Sequence, residues 1–278
     1  MAWEMRGHGG KLLTALLLAG LVLGGLLYWG AVREPVVRQT SVSLGTWEAD
    51  RAPIRILFLS DIHVAGPDMP PSRLTRIVAQ ANATKPDLIL IGGDLVSDKS
   101  VATQRYAVEA AVRPLDDLDA PLGVYAVLGN HDHWRDTEAF REALPKFGIV
   151  LLENEVRQVG PLQLAGIGDE FTGNDDPAAI KAALRPGIPA IGFTHSPDVF
   201  PRLNGALDLL FAGHTHCGQI VLPLIGAPAT MSQYGDRFAC GRIEESDGIV
   251  FVSAGLGTSL LPIRLGARPD MWLVTVGR

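Results

Sequence analysis

The pattern of apolar and polar positions divides the chain into three regimes. From Leu12 to Val32 an uncharged run, LLTALLLAGLVLGGLLYWGAV, lies between Lys11 and Arg33. Residues 33–52 are mixed and polar, with an alternation at Val42 and Leu44 that suits an edge strand. From residue 53 to residue 278, short apolar, β-branched runs alternate with longer stretches of helical period. The strand-length runs are Ile54–Leu59, Leu88–Ile91, Val124–Leu128, Ile149–Leu152, Leu162–Ile167, Ala190–Phe193, Leu207–Phe211, Ile249–Val252 and Trp272–Val276. Helices are predicted over Arg73–Ala83, Val101–Leu118, Asp136–Leu144 and Asp176–Leu184, the last opening on an Asp–Pro start signal. Strands that alternate with helices imply an α/β domain with largely buried strands. The Gly-, Pro- and Ala-rich segment Pro223–Gly241 reads as a long surface loop.

The first regime predicts a membrane anchor over residues 1–32. As a helix the apolar run would be roughly 31 Å long, close to the hydrocarbon thickness of a bilayer. Tyr28 and Trp29 stand at its end, where amphipathic aromatics suit the interface. A cleaved leader is disfavoured, since no A-x-A-like site follows the run. The flanking charges are nearly balanced: Arg6, Lys11 and the α-amino group before the span, Arg33 and Arg38 after it. They lean toward the N-terminus inside and the domain outside without deciding the side. Gly20 and Gly24 form a GxxxG that offers weak self-association through the anchor.

Charge and cysteine usage narrow the classes. With 278 residues and a formal charge of −6, the chain lacks the basic footprint of a nucleic-acid binder. Cys217 and Cys240 are too few for a disulfide framework; one bridge would require an oxidising compartment, which the count alone leaves open.

The informative positions are those that end the apolar runs. Ile54–Leu59 leads into Asp61 and His63, Leu88–Ile91 into Asp94, and Val124–Leu128 into Asn130, His131 and Asp132. Ala190–Phe193 leads into His195, and Leu207–Phe211 into His214 and His216. Open α/β sheets bind ligands at the carboxyl ends of their strands, so a parallel arrangement would gather these side chains in one crevice. Carboxylates, an amide oxygen and imidazoles suit Mn, Fe or Zn better than Mg. Asp61, His63, Asp94, Asn130, His195, His214 and His216 are too many ligands for one ion and enough for two divalent metal ions, with Asp94 suited to bridge them. Asp132 and Asp198 taken alone read as helix caps, and a lone His as a core residue. However, five of the seven histidines directly follow strand-like runs, a coincidence that favours a site.

At these residues the chain resembles the calcineurin-like metallophosphoesterases. The matching blocks are SDIH (60–63), GGDLVSD (92–98), GNHD (129–132), THSPD (194–198) and GHTHCGQ (213–219), in the family's order. The resemblance is strongest to a bacterial membrane-associated branch, whose members share the tail from Ser253 to Gly266. It implies a four-layer α/β/β/α sandwich over residues 53–278, behind a linker or edge strand at 33–52. It places Asp61, His63 and His216 on one metal and Asn130, His195 and His214 on the other, with Asp94 between. The implied reaction is hydrolysis of a phosphoester or phosphoanhydride by a hydroxide bridging the two metals. His131 would protonate the leaving oxygen or stabilise charge on the transferred phosphoryl group, and Asp132 would orient its ring. Cys217 stands where the branch often has glycine; it reads as a small buried side chain, with a soft metal ligand as the alternative.

Substrate is less defined. Members of the branch are linked to UDP-2,3-diacylglucosamine in lipid A synthesis, so a membrane glycolipid at the bacterial inner membrane is the specific expectation. That substrate lies on the cytoplasmic face, against the lean of the flanking charges. A general phosphodiesterase or phosphatase acting on soluble substrates is the alternative, and a non-catalytic anchored module is disfavoured because no ligand is missing. Pro223–Gly241, with Met231, Tyr234 and Phe238, is either an apolar lid or an ordinary loop, while Arg264 and Arg268 are weak candidates for phosphate contacts.

Overall fold

The structure is a computed structural model that describes residues 2–278, with side-chain surroundings from residue 10 onward. The flanking charge of Arg6 and the His8 imidazole lie outside those described side chains. An N-terminal helix, α1 (Ala2–Val32), contains a segment, Gly10–Val32, long and apolar enough to cross a membrane. Leu12, Leu16, Leu21 and Leu23 are all exposed on it. An isolated leucine-rich helix exposed all round is not stable against water.

The remainder is a mixed α/β sandwich of two six-stranded sheets flanked by helices. The first sheet holds β1 (Val36–Ser43), β2 (Ile54–Leu59), β3 (Leu88–Gly92), β4 (Val124–Val127), β5 (Ile149–Leu151) and β12 (Asp270–Gly277), in the order β1-β12-β2-β3-β4-β5. The second holds β6 (Glu155–Val159), β7 (Leu162–Gly166), β8 (Ala190–Phe193), β9 (Leu209–Ala212), β10 (Gly241–Glu245) and β11 (Gly248–Val252), in the order β10-β11-β9-β8-β7-β6. The run from β2 through β5 is parallel, as is that from β7 through β9 to β11.

The uninterrupted apolar runs follow from burial on both faces. In β2, Ile56 and Phe58 join the core between the sheets, while Leu57 and Leu59 face the outer helices. Likewise Leu88 and Leu90 of β3 point inward, and Ile89 and Ile91 pack toward α2 (Pro71–Ala83) and α4 (Asn130–Ala143). The second sheet packs its outer face on α5 (Pro177–Ala183) and α6 (Phe200–Leu203).

Three expectations need adjusting. Val101–Leu118 is not one helix: only α3 (Val108–Val112) and a 3-10 turn at Arg113–Asp117 form there. Residues 103 and 104 instead pair with Gly66, through Thr103 N to the Gly66 carbonyl at 3.1 Å and Gly66 N to the Gln104 carbonyl at 2.8 Å. The polar edge strands β6 and β10 escape the apolar pattern, and β10 begins where the loop 223–241 was expected to end. In that loop Phe238 is fully buried and Tyr234 packs against the same core, so only Met231 of the three lines the cavity described below.

Candidate metal centre

Strands β2, β3 and β4 lie side by side and parallel in one sheet, as do β8 and β9 in the other. Their carboxyl ends therefore open on the same edge of the sandwich. The segments that follow carry all seven expected ligands, and each is buried.

The side chains form two clusters about Asp94. On one side, His63 Nε2 lies 3.1 Å from His216 Nε2 and 3.4 Å from Asp94 Oδ2, and His216 Nε2 lies 3.5 Å from Asp61 Oδ1. On the other, His195 Nε2 lies 3.0 Å from Asn130 Oδ1, 3.1 Å from His214 Nδ1 and 3.3 Å from the same Asp94 Oδ2. Groups of Asp and His able to hold a metal ion recur here: Asp61, His63 and His216; and Asp61, Asp94 and His195.

This donor set suits a cation. His195 Nδ1 sits 2.9 Å from the Gly92 carbonyl, which can only accept, so Nδ1 carries the ring's proton and Nε2 its lone pair. That lone pair meets an amide oxygen, a carboxylate oxygen and a second imidazole nitrogen. The two oxygens can only accept, while the His214 nitrogen donates or accepts according to its tautomer; oxygens facing a lone pair in a buried site are satisfied by a metal or, without one, by an extra proton. Electrostatics agree. Burial alone would lower the His195 pKa, but Asp94 outweighs it and holds it well above the usual histidine value. Burial would raise Asp94, yet His195 and His63 hold its carboxyl well below the usual range. His63 and His216 are pushed well down by burial, and His214 to about 3 by burial and the His195 charge. Burial lifts Asp61 to about 6.

Backbone strain marks the same residues. Asp61, His63, Asp94, His214 and His216 all have φ between 50° and 68°. Left-handed backbone costs an ordinary residue roughly 1–2 kcal/mol, and such strain persists where tertiary structure overrides it. Gly129 lets the β4 turn approach closely: a Cβ there would overlap Asp94 Oδ1 and crowd His195 Nδ1. The following helix opens on Asn130, and His131 N donates to Asp94 Oδ1 at 2.9 Å, so the positive helix terminus faces the carboxylate.

His131 and Asp132 are placed differently from one another. His131 lines the cavity, with Nε2 3.3 Å from Ser259 Oγ. Asp132 does not reach its ring. Its carboxylate accepts from Gly129 N at 3.1 Å, reaching back to the helix N-cap, and from Leu95 N at 2.9 Å and Val96 N at 3.3 Å. The carboxylate at His131 Nδ1 is Asp98, the last residue of the block 92–98. Asp98 was visible in that motif, but nothing in its spacing distinguishes it from a loop residue. Arg264 also departs from expectation. Its buried guanidinium is spent on the carbonyls of Ala254, Gly255, Gly257 and Ala267 and stands 3.2 Å from His216 Nδ1, and it does not line the cavity. Arg268 is exposed and donates to the Glu34 carbonyl.

Cys217 and Cys240 form a disulfide, so neither offers a thiolate ligand; the bond ties the loop after His216 to the start of β10. Above the clusters opens a cavity of about 340 Å³. Asp94, Asn130, His131, His214 and His216 form its polar floor, and Trp134, Phe171, Ile220, Met231, Leu260, Leu261 and Ile263 its apolar walls.

Comparison with known proteins agrees with this geometry. The family model described as "Calcineurin-like phosphoesterase" matches residues 54–218. The phosphodiesterase YaeI of Escherichia coli (strain K12) is 31% identical over 240 residues, covering 83% of this chain and 85% of its own length. The uncharacterized metallophosphoesterase YkuE of Bacillus subtilis (strain 168) is 28% identical over 210 residues, 73% of this chain and 72% of its own. A transmembrane protein with metallophosphoesterase domain from Danio rerio is 32% identical over 238 residues, 78% of this chain and 52% of its own. With two sheets that bring Asp, Asn and His side chains together at one edge, the chain belongs to the calcineurin-like phosphoesterase family of metal-dependent hydrolases.

Proposed function

We propose that this hydrolase is a membrane-anchored phosphodiesterase with a centre for two divalent ions of the Mn, Fe or Zn type. The observation that carries the reading is the Asp94 carboxylate, with His63 on one side and His195 on the other. Asp61, His63 and His216 would hold one ion, Asn130, His195 and His214 the second, and Asp94 both. When bound, the ions supply Lewis-acid stabilisation of phosphoryl oxygens and activation of water.

The chain's own residues do the rest. The Gly92 carbonyl fixes the His195 tautomer, and the His214 amide, donating to Asp61 at 3.0 Å, fixes that carboxylate. Asp98 holds the His131 ring with Nε2 toward the cavity, where it gives a proton to the departing oxygen. Trp134 and Phe171 pack against the His131 and His214 rings as an apolar wall of the cavity.

The anchor is the apolar segment of α1. The disulfide favours an oxidising side of the membrane, since such bonds are rare in the cytosol. The lean of the flanking charges agrees. UDP-2,3-diacylglucosamine, a cytoplasmic-face substrate, is therefore the weaker reading.

The test is hydrolysis of bis(p-nitrophenyl) phosphate by the chelator-stripped protein with and without added Mn²⁺. Metal-dependent turnover is expected in the wild type, with a loss of about a thousandfold or more in Asp94→Ala, the scale on which metal activation of water operates. Full metal-dependent activity in Asp94→Ala would sink the shared-carboxylate assignment.

A further inference from the structure

The apolar helix ends against the backbone of Arg264, the residue that follows the cavity-lining Ile263. Arg264 N donates to the Leu27 carbonyl at 3.0 Å, a Cβ on Gly30 would overlap the Arg264 carbonyl oxygen, and Ala31 is fully buried. The Tyr28 hydroxyl reaches the Pro67 carbonyl at 3.2 Å, and Arg73 and Gln80 of α2 donate to the carbonyls of Arg33 and Pro35 at 3.1 and 3.0 Å. The helix thus enters the domain without slack. A span held this way fixes which face of the domain meets the bilayer.

That face is apolar and exposed. Leu260 and Leu261, which line the cavity a few residues before Arg264, are 72% and 47% exposed. Beside them lies a turn closed by Leu222 N on the Gly226 carbonyl at 2.9 Å and joined to the wall by Val221 N on the Leu265 carbonyl at 2.7 Å. Its tip presents Leu224 and Ile225, 108% and 76% exposed, and Leu224 holds a left-handed φ of 66° that a bulky residue seldom adopts. No charged residue occurs from Cys217 to Gly235 or from Gly248 to Ile263. A clustered apolar edge is anomalous in water but suits the head-group and acyl boundary, which is the depth at which a span ends.

We propose that this edge inserts into the interface of the bilayer that the helix crosses, and that the site draws its substrate from there: a membrane lipid whose phosphodiester lies at head-group depth. The proposal rests on the readings of the helix as a span and of the site as a phosphodiesterase. Leu260, Leu261 and Ile263 on the membrane-side wall accept the apolar part of the lipid, while the phosphorus reaches the polar floor. The oxygen of water bonds to phosphorus, and the phosphorus–oxygen bond to the departing alcohol breaks. His131 gives its proton to that alcohol and regains one from the attacking water. The products are a phosphomonoester and an alcohol.

Two measurements on the full-length protein in phosphatidylcholine vesicles test this. In the first, Leu224→Trp is compared with wild type as dibrominated phosphatidylcholine replaces the ordinary lipid. Quenching of the added indole beyond the wild-type background is expected, and no extra quenching overturns the docking. This readout needs no activity, so it also decides the matter if a variant or the wild type is inactive. In the second, Leu224→Ser/Ile225→Ser, at positions that do not line the cavity, is assayed on phosphatidyl-p-nitrophenol in vesicles and on soluble bis(p-nitrophenyl) phosphate. A KM for the vesicle lipid raised about tenfold, with soluble turnover unchanged, is the expected result for loss of two interfacial side chains. Equal KM values for variant and wild type overturn the docking. Wild-type hydrolysis of the soluble diester but not of the vesicle lipid overturns the substrate class. No hydrolysis of either speaks instead against the phosphodiesterase reading, leaving the quenching result to stand by itself.

Discussion

The His131 ring packs edge-on against His63 and falls in a group with His63 and Asp94 able to hold a metal, but it differs from the other histidines in what its nitrogens meet: Asp98 on Nδ1, and Ser259 and the cavity on Nε2. A general acid contributes about 10²–10⁴-fold, so His131→Ala should lower kcat by that factor with metal content intact. Asp98→Asn should lose about 10–100-fold, the scale for partners that orient an active imidazole, while Asp132→Asn should act mainly on stability through the cap. Metal analysis beside steady-state kinetics separates these outcomes; equal kcat in Asp98→Asn and wild type would remove Asp98 from the mechanism. His195 offers a second measurement. Asp94 outweighs burial and holds the His195 pKa above the usual histidine value, so the metal-free imidazole keeps its second proton to higher pH than a free histidine, and that proton must leave when a cation binds. Calorimetry of metal binding in buffers of different ionisation enthalpy should therefore show release of about one proton, and affinity should rise with pH until the His195 pKa is passed. Independence from pH above 6 would contradict it. The side chains that cluster about Asp94 were legible in the sequence because each ends a strand run, whereas the Asp98-for-Asp132 exchange was not: both are aspartates near the site, and only the packing of the loop after β3 against α4 decides which one meets the ring.

At the scale of elements, the same contrast holds. β2, β3, β8 and β9 were readable because strands buried on both faces are apolar throughout. β6, with the sequence Glu-Val-Arg-Gln-Val, and β10, with Gly-Arg-Ile-Glu-Glu, are edge strands whose polar faces meet water, so no apolar run marks them. The expected helix over 101–118 fails in its first half because Thr103 and Gln104 find backbone partners at Gly66, a contact no local pattern encodes. The loop from His216 to β10 owes its closure to the Cys217–Cys240 bond, which spans 23 residues. A loop of that size stabilises by about 3 kcal/mol in the chain-entropy view. Cys217→Ser/Cys240→Ser should lose about 2–4 kcal/mol in urea unfolding, and wild type treated with dithiothreitol should match it. A midpoint unchanged by reduction would show that the bond carries no such weight.

For the whole molecule, the helix and the domain form one object, since residues 27–35 are hydrogen-bonded to Arg264, beside the cavity wall, and to α2. If the helix crosses a membrane as proposed, the side on which the domain stands governs what the site can reach. A C-terminal alkaline phosphatase fusion should be active and a β-galactosidase fusion inactive, as expected for a domain that holds a disulfide. The reverse pattern would return cytoplasmic lipid precursors to consideration. The sequence by itself determined the strands buried on both faces, their polar endings, an apolar segment long enough to cross a membrane and the family blocks, because each is written in local spacing and burial leaves a continuous apolar trace. Only the tertiary structure decided that Asp94 lies between two histidine clusters, that Asp98 and not Asp132 meets His131, and that the two cysteines, distant in sequence, are joined. It also decided that the exposed leucines adjoin the end of the helix. These are relations between segments brought together by the packing of two sheets, and spacing along one chain carries no record of them.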